Sequence, residues 1–162
     1  MVDLSSSPPN RHRELNLALE ALHFAFRAVT EGPDAELAAH GLSRVHHRIL
    51  YFIAKTPRLR VSELLATLGV TKQAMNAPLR QLTERGLVAE SVDSADRRGK
   101  RLHLTAAGQS LERRLSGDQR AAFARVFRKV GKNKEQAWYE VMHLLVQNAT
   151  GPSARKLDSP TP

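Results

Sequence analysis

The chain has 162 residues, 41% hydrophobic and 25% charged, which suits one domain with a sizeable core and appended arms. It lacks cysteine, which excludes disulfides, thiolate metal sites and thiol redox sensing, and no run approaches the roughly 20 apolar residues of a membrane-spanning helix. Formal net charge is +9, which points to an anionic partner.

Residues 1–10, MVDLSSSPPN, read as a disordered N-terminal tail. They lack the basic stretch and apolar core of an export signal, so a cytoplasmic location is expected. Residues 11–42 are read as N-terminal helices. Leu15, Leu19, Leu22, Phe26 and Val29 form one stripe of a long helix. EGPDAELAAHG then reads as a break and a short helix, with Gly32-Pro33 as punctuation and Gly41 as stop. Ser43 caps a further helix to about Lys55, whose core face holds Val45, Ile49, Phe52 and Ile53.

Leu59 to Val61 suits a short strand. Ser62 caps ELLATL, Gly69 ends it, and Thr71 caps a second helix that Gly86 closes. GLVAESV and KRLHLT read as two strands around the charged DSADRRG, with Leu102 and Leu104 inward and Arg101 and His103 outward. Thr105 caps a long helix to about Val130, which Gly117 is expected to loosen or kink. Gly131 ends it, and Asn133 with Gln136 suggests a capping box for a last helix to about Asn148. Residues 151–162 read as a second disordered tail.

The positive charge is localised. Residues 44–101 carry 12 basic and 5 acidic side chains, whereas residues 1–43 carry 3 and 6. Within the basic stretch, two helices joined by GVT match a helix-turn-helix, whose second helix enters the DNA major groove. A basic strand–loop–strand directly after it makes a wing that reaches phosphates or a narrow minor groove. At ~100° per residue, Thr71, Ala74, Met75, Pro78, Leu79 and Leu82 gather on one side of the second helix. Gln73, Asn76, Ala77 and Arg80 lie on the other, with Lys72 at the margin. Two amides suit adenine, Arg80 suits guanine or phosphate, and Ala77 lets the backbone approach or meets a thymine methyl. Arg97, Arg98, Lys100 and Arg101 are too dense for Asp93 and Asp96 to neutralise locally, and Ser62 is placed to donate to a phosphate besides its cap.

Pro78 stands in the middle of that second helix, where proline costs about 3 kcal/mol. Two accounts are open: a continuous helix kinked near Ala74, or a helix beginning at Ala77 or Pro78. The cap at Thr71 and the unbroken apolar stripe favour the first.

From VSELLATLGVTKQAMNAPLRQLTERGLVAESVDSADRRGKRLHLTAAG the chain resembles the MarR family of winged helix-turn-helix transcription regulators. Asp96 and Arg98 match its Asp-x-Arg wing pattern, and the order of elements agrees over about residues 12 to 148. The resemblance implies a mainly α fold with a small β-hairpin wing. Residues 11–42 and 106–150 would be dimerisation helices, and residues 43–105 the winged helix-turn-helix. It implies a cytoplasmic homodimer acting as a ligand-responsive repressor at inverted repeats in double-stranded DNA. It gives Asp96 the role of orienting the wing, by holding Arg98 or a neighbouring guanidinium. It further implies a pocket for small, often aromatic and anionic effectors, which Arg44, His46 and Arg48 are near enough in sequence to line. The alternative reading is a sequence-indifferent basic nucleic-acid-binding structural protein using the same charge. No nucleophile elbow, phosphate-cradling glycine loop or carboxylate–histidine cluster supports an enzyme, and no cofactor is expected. His40, His46 and His47 share a region without ligand spacing, so no metal ligand is assigned.

Overall fold

The computed structural model describes residues 9–92 and 100–149. Both expected tails lie largely outside them. In chain order the elements are α1 (Pro9–Ala39), α2 (Arg44–Lys55), β1 (Leu59–Arg60), α3 (Val61–Leu68), α4 (Lys72–Glu84), β2 (Val88–Val92), β3 (Lys100–Leu104), α5 (Ala106–Val130) and α6 (Lys132–Gln147). The fold is mainly helical, with one small antiparallel sheet of order β1–β3–β2. Val88 pairs with Leu104 and Val92 with Lys100, while Leu59 pairs with Leu102 on the other side of β3. The hairpin is thereby fastened to the turn that precedes α3.

One core holds these elements together. Ile49, Leu50 and Ile53 of α2, Leu64 of α3, Met75 and Leu82 of α4, Leu102 of β3 and Leu115 of α5 are essentially inaccessible. Each comes from an apolar stripe at the period of its own element, and the short helices α2, α3 and α4 would be marginal without that burial. The first half of α1 and all of α6 stand outside this core: α6 buries no residue, and Leu17, Leu19, Leu22 and Phe24 are exposed.

Three local expectations are corrected. The break at Gly32-Pro33 does not occur, and α1 runs through Pro33 as one 31-residue helix. Contacts around the proline offset its cost: Pro33 is itself buried, Leu37 enters the core, Arg44 Nε bonds both carboxylate oxygens of Asp34 at 2.9 Å, and Arg114 Nε bonds Glu36 at 2.7 Å. Ser62 is not the cap of α3. The Glu63 carboxylate accepts the Arg60 backbone N–H at 2.7 Å, so the helix begins at Val61 and leaves Ser62 exposed in its first turn. Asn133 does not cap α6 either. Gly131, at φ +84°, closes α5 through its N–H to the Phe127 carbonyl and opens α6 at once, putting Asn133 inside the first turn. The long helix α5 passes through Gly117 without interruption.

Candidate nucleic-acid interface

Thr71 starts α4 by accepting the Ala74 N–H on its hydroxyl at 3.2 Å. At the other end the Leu87 N–H bonds the Leu82 carbonyl and the Gly86 N–H bonds the Thr83 carbonyl. That paired closure needs a left-handed residue, which Gly86 supplies at φ +65°. Between these stops the helix is continuous from Lys72 to Glu84, so it does not begin at Ala77 or Pro78. Pro78 is half-buried beside the core residues Met75, Leu79 and Leu82.

The opposite face is open. Lys72, Gln73, Asn76, Ala77 and Arg80 are all exposed, as is Ala74, which sequence periodicity had grouped with the apolar side. Arg80 approaches Glu84 at 3.6 Å, but both side chains are more than two-thirds exposed, so the pair holds Arg80 weakly. The face thus offers two amides and two cations to any groove that receives it.

The hairpin of β2 and β3 follows α4 in the chain. Lys100 Nζ meets Glu90 at 2.6 Å across the strands. Arg101 is half-buried, and its guanidinium donates to the Arg58 carbonyl at 3.2 Å, bracing β3 against the turn before β1. Arg58 holds that turn in a left-handed conformation, φ +63°. Leu102 and Leu104 point into the core, and His103 is exposed. Asp96, Arg97 and Arg98 lie outside the described residues.

Behind α4, α2 carries two adjacent histidines with opposite commitments. His46 Nδ1 accepts the Ser43 backbone N–H at 3.0 Å, and its Nε2 lies 2.8 Å from Gln81 Oε1 on α4. His47 Nε2 lies 3.1 Å from the Ser116 hydroxyl on α5. Burial pushes both imidazoles below the usual histidine range. A cavity of about 230 Å³ opens between α1, α2 and α5, lined in part by Phe26, Thr30, Arg44, His47, Arg48 and Tyr51. Arg44 and Arg48 therefore sit together there, whereas His46 turns away from it. Arg44 is already engaged: it bonds Asp34, donates to the Thr30 hydroxyl at 3.1 Å, and lies over the Phe26 ring at 5.1 Å. Hydrogen bonds from Arg44 hold the Asp34 carboxyl below the usual carboxylate range. Neither the His46–Gln81 bond nor the Asp34–Arg44 clasp was foreseen. The first joins residues 35 apart, and the linear pattern carries no signal for it.

A family model described as the MarR family matches residues 40–99. The chain is 39% identical over 136 residues to the HTH-type transcriptional regulator PetP of Rhodobacter capsulatus, covering 84% of this chain and 82% of that one. It is 32% identical over 112 residues to the HTH-type transcriptional repressor Rv2887 of Mycobacterium tuberculosis, covering 69% of this chain and 81% of that one. Among solved structures, Streptococcus pneumoniae FabT in complex with DNA superposes with a TM-score of 0.72 at 21% identity, covering 84% of this chain and 95% of that one. With the relatives matched over most of their length and the winged helix-turn-helix in place, this chain belongs to the MarR family.

Proposed function

We propose that this protein is a homodimeric, sequence-specific DNA-binding transcription regulator that recognises an inverted repeat and acts as a ligand-responsive repressor. One observation carries the reading: α4 buries Met75, Leu79 and Leu82 and leaves Gln73, Asn76, Ala77 and Arg80 open on its other side. In a major groove, Gln73 and Asn76 pair with adenine edges, Arg80 with guanine or a phosphate, and Ala77 packs on a thymine methyl. Lys72 and Ser62 meet the backbone, and so do Lys100 and Arg101 with Arg97 and Arg98, the wing being oriented by Asp96. A regulator of this kind works on chromosomal DNA in the cytoplasm; among the described residues no helix is long and apolar enough to cross a membrane.

What the core leaves out supports the dimer. Leu17, Leu19 and Leu22 on α1 and Val141, Leu144 and Leu145 on α6 are each at least half exposed. Phe123, Phe127, Trp138 and Tyr139 stack at centroid separations of 5.0–5.9 Å around an open cleft of about 670 Å³ between α5 and α6. Apolar surface on this scale calls for a second copy. Residues 11–42 and 106–150 then serve dimerisation and residues 43–105 DNA binding. Two-fold pairing sets the recognition helices about 34–36 Å apart, one turn of duplex. The cavity holding Arg44 and Arg48 suits a small aromatic anion, with Arg48 exposed and Phe26 and Tyr51 beside it.

Selection from a pool of random duplexes tests the reading. Enrichment of a palindrome with half-sites about one helical turn apart is expected. A pool that stays random after repeated rounds would refute it.

A further inference from the structure

We propose that His46 is a positioning residue for DNA recognition: through Gln81 it fixes how α4 is presented from the body of the protein. The proposal rests on the reading of α4 as the recognition helix. Its physical basis is a short chain of bonds at a polar seam between α2 and α4. His46 is 6% exposed, so both of its ring nitrogens need partners from the protein. The Ser43 backbone N–H donates to Nδ1, which fixes the neutral tautomer with the proton on Nε2. That Nε2–H therefore donates to Gln81 Oε1 at 2.8 Å. The Gln81 amide then donates to the Gly41 carbonyl at 3.3 Å, in the turn between α1 and α2. A guanidinium continues the seam: Arg85, just past the end of α4, donates to the His40 carbonyl in the same turn.

The apolar contacts of α4 leave it one freedom. Met75, Leu79 and Leu82 are non-directional anchors, and such a stripe opposes a small roll of the helix less sharply than a hydrogen bond does. Directional bonds at Gln81 remove that freedom. Gln81 lies one residue from Arg80 and five from Asn76, on the flank between the buried stripe and the open face. A small roll there changes which base edges Gln73 and Asn76 meet, and a binding constellation must be held within about 0.5 Å.

Two conservative substitutions separate positioning from plain stability. Asparagine places an acceptor where Nδ1 stands but cannot reach Gln81. Glutamine extends a donor to where Nε2 stands but loses the Ser43 contact. The duplex selected by the wild-type chain is the probe, with affinity read by titration and stability by thermal melting. H46N is expected to lose no more of its melting temperature than H46Q yet bind about tenfold more weakly than the wild type. H46Q is expected to melt lower yet bind within about threefold of the wild type. Gln81→Met should weaken binding as H46N does, and H46N combined with Gln81→Met should be no weaker than either alone. Wild-type-like binding by H46N, or affinity losses that track melting in both His46 variants, would overturn the proposal. A wild-type chain that selects no duplex is a different result, which sinks the DNA reading itself.

Discussion

Gly108, in the first turn of α5, lies directly against the backbone carbonyl of Leu87, and a Cβ added there would land on that oxygen. The same carbonyl accepts the Thr105 N–H at 3.1 Å, while the Thr105 hydroxyl donates to the Gly86 carbonyl at 2.6 Å. The glycine of the LTAAG segment is therefore a packing requirement: it lets the chain leaving α4 cross the start of α5 and sets where the wing begins. Gly108→Ala is expected to destabilise the protein by about 1–3 kcal/mol, read as a lowered urea midpoint with an unchanged slope. An unaltered midpoint would show that the junction yields freely.

Pro78→Ala tests the proline inside α4. Alanine restores an N–H for the Ala74 carbonyl and removes the ring clash, so the fold should be unchanged or stabilised by up to about 3 kcal/mol. Operator affinity should nonetheless change if the ring sets how the turns carrying Lys72 to Asn76 are aimed, and an unchanged affinity would remove that role from Pro78. Thermal melting and a binding titration on the same preparation check both halves.

The two buried histidines give stability a definite sign with pH. Both are held below the usual histidine range, so between their folded values and ~6.5 the unfolded chain binds more protons than the native one. Stability is full above ~6.5 and falls as acid is added through that window, by at most ~1.4 kcal/mol per pH unit for each histidine. Asp34, whose carboxyl is held low by Arg44, contributes at higher pH and loses its share only as the pH falls below 3.8 towards its folded value. Urea unfolding at about pH 7.5 and 5.5 should show the histidine slope, and H46N combined with His47→Asn should flatten it.

Self-association is expected to depend on the outer helices. Leu22→Glu or Leu144→Glu puts a charge into the apolar face that the core leaves uncovered. Either should turn a dimer into a monomer in analytical ultracentrifugation, while leaving the circular dichroism of the helices largely in place. A dimer that survives both changes would move the interface elsewhere.

Local signals served best where one residue type settles one backbone problem. Thr71, Gly69 and Gly86 bound the two helices of the motif where the sequence put them, and alternation in KRLHL gave the inward Leu102 and Leu104. Failures came where distant partners decide. Pro33 reads as a breaker until Asp34, Glu36 and Leu37 are seen anchored to α2, α5 and the core. Ser62 lost the cap position for a local reason instead, because Glu63 reached back three residues to Arg60. Exposed amides on α4 were legible from helical period alone. The role of Gln81 was not, since its partner His46 lies on another helix.

Competition between the selected palindrome and random duplex, for the wild type and for Gln73→Ala with Asn76→Ala, tests the central claim most directly. The wild type should prefer the palindrome by about 10³-fold or more, and the double variant should lose most of that preference while keeping its salt-sensitive affinity for random duplex. Equal affinity of the wild type for both duplexes, or a preference untouched by the two alanines, would contradict the account.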